Sequence, residues 1–199
     1  MSKEGKTGVT TTTPKNILFG AGTIHKNLKF TAGTGGTGGT WNFTESIMGA
    51  TNGGSSIEIT PEIYDVPLDG KLVKAKETNV KTGETATMTI NFAEVTKDIL
   101  KAAVIGTNGT SADSAYDLIE SKPKIETGDY LDNIAFVGKT LDGRNVIVIM
   151  DNALCTSGFK SEGKNKEATT SAYTFECNAD LTGDLDKLPY HIYFPKATA

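Results

Sequence analysis

The residues of this chain whose types and spacing could do chemistry fall short of what each chemistry needs. Gly33, Gly35 and Gly38 match the spacing of a glycine loop that cradles a dinucleotide pyrophosphate. Such a loop works where a helix opens directly behind it and offers its N–H groups to the phosphate, but Thr40 and Trp41 follow here and predict a strand. Asp180, Asp184 and Asp186 offer oxygen ligands for calcium, yet their spacing departs from the D-x-D-x-D-G pattern and no Glu stands at the twelfth position. Turn-forming aspartates account for them better. Glu58 and Glu62 are a carboxylate pair of the type that hydrolyses glycosides, although a chain with 24 acidic residues supplies such pairs by chance. His25 and His191 are too few and too isolated to complete a zinc set, and no G-x-S-x-G, H-E-x-x-H or Walker sequence occurs. The expectation is a non-enzyme with no cofactor and no metal.

Charge and cysteine usage narrow the partners. The net charge of −4 and the single Arg144 among nineteen lysines leave few forked donors for gripping phosphates, so specific nucleic-acid binding is not expected. Acidity is concentrated in 110–155, with eight carboxylates against four basic residues. By itself that reads as a solvated face. Cys155 and Cys177 sit in predicted strands and read as two small buried apolar residues, with a disulfide as the less favoured state. The first fifteen residues form a Thr/Gly/Lys arm without the apolar stretch of an export signal, which predicts a flexible arm and synthesis in the cytoplasm.

The elements that would position any site are mostly strands. Ala86, Met88, Ile90 and Phe92 alternate with threonines as a half-buried strand does. After Thr96, a predicted N-cap, the period changes to Ile99, Leu100, Ala103 and Val104, which predicts a helix packing those four residues on the sheet and stopping at Gly106. Further strands are predicted at 16–20, 23–30, 57–65, 72–76 and 171–178, with Tyr190, Ile192 and Phe194 closing the sheet. Asp142-Gly143 predicts a two-residue type I′ hairpin turn. Its second strand, Val146, Ile147, Val148, Ile149 and Met150, is apolar on both faces and must be covered twice, which makes it a candidate subunit interface. Segment 31–40 is predicted to be a projecting loop and 69–85 a long projecting hairpin or loop of a single domain spanning 16–199. The whole reads as mainly β, a β-sandwich or barrel with one flanking α-helix.

The stretches NILFGAGTIHKNL, GTWNFTESIMGATNGGSSIEITPEIYDVPLDG and GETATMTINFAEVTKDILKAAVIG, in that order over 16–106, resemble the tail tube (major tail) proteins of long-tailed bacteriophages and related phage-like particles. The Gly/Thr-rich run at 31–40 departs from the family pattern in length. The resemblance implies a β-sandwich with a flanking helix and self-assembly into hexameric rings stacked as a hollow tube in a virion. It further implies tape-measure and terminator proteins as partners, and DNA passing without specific binding through a lumen whose negative charge repels phosphates. The alternative is a monomeric β-sandwich that binds a ligand or carbohydrate. That reading requires a cluster of exposed aromatics, whereas the lone Trp41 and the alternating Tyr173 and Phe175 read as core or interface.

Overall fold

The computed structural model describes residues 8–34, 38–163, 165–166 and 169–196. Expectations for the first seven residues of the arm, and for 35–37 of the Gly/Thr-rich loop, lie outside the described residues. The strands are β1 (Leu18–Lys26), β2 (Phe30–Thr31), β3 (Thr40–Trp41), β4 (Ile47–Gly49), β5 (Thr51–Asp65) and β6 (Asn79–Phe92). Helix α1 (Lys97–Ala103) follows, then β7 (Thr107–Gly109), β8 (Leu118–Glu120), β9 (Leu131–Thr140), β10 (Asn145–Cys155), β11 (Ser171–Cys177) and β12 (Tyr190–Tyr193). The protein is mainly β, with one α-helix on a large antiparallel sheet.

Eight strands share one sheet in the order β4-β1-β9-β10-β11-β6-β5, with β12 pairing to the first half of β10. The two ends of that order, β4 and β5, are separated in sequence by Ala50 alone. A sheet whose opposite edges are joined through one residue must roll until they meet, so a core lies inside the curl. Ala86, Met88, Ile90 and Phe92 of β6 fill it with Tyr173, Phe175 and Cys177 of β11, as their alternation predicts. The threonines between them face out, and Thr89 and Thr174 meet across the strands at 2.9 Å.

Strand β10 is buried on both faces by its own chain. Met150, Ala153 and Cys155 join the inner core, while Ile147 and Ile149 pack on Leu28, Ala135 and Val137 beneath Trp41 and Phe43. The cover over the second face is thus the β2–β3 hairpin and the turn after it. Val146, Ile147, Ile149 and Met150 are all buried and Val148 half-buried, so the apolarity of this strand leaves no face that requires a neighbouring subunit.

Several local expectations are corrected. The β9–β10 connection is a three-residue loop, because Thr140 N donates to Arg144 O and Gly143 N to Thr140 O, closing a type I turn. Only Gly143 takes positive φ, at 85°, whereas a type I′ turn would demand it of Asp142 too. The predicted strand at 72–76 is irregular chain ending in a 3-10 turn, since no partner strand lies beside it. The predicted strands at 16–20 and 23–30 are a single bulged strand, β1, that ends before Asn27 at φ 53°.

Helix α1 begins as its sequence predicts and ends differently. Thr96 caps it, accepting from Ile99 N at 3.3 Å. Ile99 and Ala103 are buried, but Leu100 is half-buried and Val104 is 44% exposed, so two of the four expected packing residues carry the contact. At the C-terminus Gly106 N donates to Lys101 O and Ile105 N to Ala102 O, a Schellman closure with Ile105 rather than glycine in the left-handed position, at φ 49°. Gly106 is needed for another reason: a Cβ there would lie 2.7 Å from Ile119 Cγ2.

Candidate functional site

The residues that could do chemistry are dispersed. Gly38 is followed by β3, not by a helix, so nothing behind it presents N–H groups to a phosphate. Asp180 accepts from Thr182 N and Oγ1, both at 2.8 Å, and Asp184 accepts from Asp186 N at 3.0 Å, the bonds of turn-forming aspartates. Among the described residues no three His, Cys, Asp or Glu side chains are placed to hold a metal. Glu58 and Glu62 are exposed on β5, four residues apart and therefore roughly 13 Å along an extended strand, beyond the carboxylate spacing of glycosidases. Cys155 and Cys177 are free and buried. Burial pushes the Cys177 thiol up to about 12, which leaves it unreactive.

Sequence reasoning missed one polar chain. His25 is 2% exposed and lies between two hydroxyls, with Nδ1 2.8 Å from Ser46 Oγ and Nε2 2.7 Å from Thr23 Oγ1. Because Ser46 Oγ donates to Asn42 O, it accepts from Nδ1–H; in the neutral ring Nε2 accepts from Thr23 Oγ1 at 2.7 Å, whose other acceptor, Val137 O, lies farther off at 3.5 Å. Burial holds the pKa of His25 below its ordinary value, a backbone interaction with Phe43 offsetting this in part. The imidazole is thus a neutral strut tying β1 to the 42–46 turn. Among the described residues the ring nitrogens meet the two hydroxyls and no carboxylate.

The feature that stands out is the β5–β6 hairpin. Its strands pair from Thr51↔Phe92 to Asp65↔Asn79, and past Thr85 the alternation that fills the core stops. Beyond that point Tyr64, Leu68 and Val80 are about half exposed, Ile63 is 66% exposed, Val73 76% and Leu72 96%. No family model matches this chain, and no curated protein does.

The 66–78 connection is held in place. Lys71 Nζ donates to Asp65 Oδ1 at 2.5 Å, to Val66 O at 2.7 Å and to Thr78 Oγ1 at 3.0 Å, and Thr78 Oγ1 donates to Asp65 as well. Lys71 and Thr78 together hold the Asp65 carboxyl below the usual carboxylate range. A network of this kind fixes the loop's backbone while its apolar side chains stay in water, at a cost that burial against another surface would remove. Pro61 sits on the same strand, which is the end of the sheet order, where a missing N–H does no harm.

No helix among the described residues is long and apolar enough to cross a membrane.

Proposed function

We propose that this chain is a structural protein that self-assembles into stacked rings, a tail tube subunit of a phage or phage-like particle. The observation that carries the reading is the β5–β6 hairpin: a long two-stranded arm whose tip is pinned by Asp65, Lys71 and Thr78 while Leu72 and Val73 project into solvent. A monomer gains nothing from holding apolar side chains outward in a fixed loop. A subunit that inserts them between neighbours gains about 1.5–3 kcal/mol for each such side chain buried.

The mainly β fold with one helix agrees with the resemblance of 16–106. The acidic surplus in 110–155 suits a lumen along which DNA slides without sticking. In this reading the partners are further copies of the chain and the proteins that set and cap the length of the tube, and the site of action is the virion. The test is assembly itself. Purified protein examined by size-exclusion chromatography and negative-stain microscopy forms rings or tubes, and Leu72→Asp with Val73→Asp leaves a folded monomer.

A further inference from the structure

Phe30, Trp41, Phe43 and Tyr193 form one contiguous aromatic patch over the outer face of β10. Trp41 lies at its centre, with ring centroids 5.2 Å from Phe30, 6.3 Å from Phe43 and 5.1 Å from Tyr193. Covering Leu28, Ile147 and Ile149 explains the inward side of Trp41 and Phe43. It does not explain why Phe30 and Tyr193 stay about half exposed and Trp41 and Phe43 only half-buried. A lone tryptophan in the sequence gave no sign of this cluster: Phe30 meets Trp41 across the short β2–β3 hairpin, and Tyr193 reaches it from the far end of the chain.

Beside the rings runs a cleft of about 330 Å³ lined by Trp41 and Phe43 together with Thr31, Thr40, Thr44 and Glu45. Asn42, also on its wall, is engaged with Lys29 N at 2.7 Å and fixes the turn. The side chains of Thr31, Thr40, Thr44 and Glu45 make no hydrogen bond or ion pair within the described residues. Three free hydroxyls and a free carboxylate thus share one wall with two partly exposed rings.

A wall of this kind can take a ligand that offers an apolar face and a rim of hydroxyls together. A pyranose presents a C–H face that packs on an aromatic ring and a rim of hydroxyls that both donate and accept. Glu45 accepts from such hydroxyls through charge-assisted bonds, and the threonines take either role. No cation lines the cleft, which disfavours a phosphate-bearing ligand. We propose that the cleft binds a neutral oligosaccharide, with Trp41 and Phe43 as the stacking surface and Glu45 as the principal acceptor. The proposal is independent of tube assembly.

The sole tryptophan lies in the site, so intrinsic fluorescence reports on it directly. The full chain is titrated with triacetylchitotriose and, separately, maltotriose. The expected result is a saturable change in Trp41 emission with at least one sugar, whose half-saturating concentration rises about tenfold in E45A, the loss of one charge-assisted bond. Because Glu45 is exposed, E45A folds; E58Q, on a distant strand, binds as the parent does. Absence of saturation with both sugars up to about 20 mM, or an E45A protein that binds like the parent, overturns the proposal. So does a patch that ignores both sugars while E45A changes the sedimentation coefficient, since the aromatics would then be a contact between copies.

Discussion

Lys71 Nζ and Asp65 Oδ1 lie 2.5 Å apart, with their side chains only 16% and 20% exposed, at the base of a loop whose neighbouring Leu72 is 96% exposed. Polar groups are turned in and apolar ones out, the reverse of a loop folding for its own sake. Asp65→Asn removes the charge and is expected to loosen the loop without unfolding the sheet. Trypsin reports this at Lys71, Lys74 and Lys76: cleavage there should be faster in the variant while circular dichroism stays native. Equal cleavage rates would mean that the pair does not set the loop.

The buried imidazole of His25 predicts a pH dependence. Its folded pKa is lowered, so the unfolded chain binds the proton more readily. Stability from this group is complete above pH 6.5 and is lost as pH falls through the lowered folded value. The carboxylates with lowered values, among them Asp65, Asp98 and Asp142, act in the same direction but below about pH 4, outside this window. Urea midpoints should therefore drop between pH 7.5 and pH 5 in the parent and flatten in His25→Gln. A parent whose midpoint is level across that range would contradict the account.

Helix α1 predicts an ordering of substitutions. Ile99→Ala opens a cavity at a fully buried site and should cost about 2–5 kcal/mol, whereas half-buried Leu100→Ala should cost roughly half as much. Thr96→Ala removes the cap and should cost about 1 kcal/mol. Equilibrium denaturation of the three variants checks the order, and Leu100→Ala proving the most damaging would overturn the packing described here.

Strand β10 is covered on both faces within the subunit, so charge is expected to be intolerable on either. Ile147→Lys faces Leu28, Trp41 and Phe43, and Met150→Lys faces the inner core. Both should abolish the cooperative unfolding transition, because a buried, unpaired ammonium costs several kcal/mol. A well-folded Ile147→Lys protein would show that the β2–β3 cover is not seated on β10.

The parts of this fold that were legible in the sequence are those where one physical rule acts alone. Alternation along β6 and β11 gave the core residues, and Thr96 gave the helix start, because a period and a cap are local signals. The second cover of β10 was not legible, since Leu28, Trp41 and Phe43 reach it from more than a hundred residues away. Nor was the pinned loop: the run at 72–76 looks like a strand but finds no strand to pair with among the described residues, and Lys71 holding Asp65 and Thr78 is a contact that no local pattern announces. Ile105 in the left-handed position beside an available Gly106 shows a local rule overridden by packing, as Ile119 closes on the glycine.

The central claim is that the β5–β6 tip drives self-assembly, and negative-stain microscopy of the parent beside the Leu72→Asp, Val73→Asp double variant tests it most directly. Both positions are solvent-exposed in the subunit, so the variant should keep native circular dichroism and the parent's unfolding midpoint within about 0.5 kcal/mol. The account predicts rings or tubes from the parent at high protein concentration and only folded monomers from the variant. A parent that stays monomeric, or a variant that still builds tubes, would contradict it.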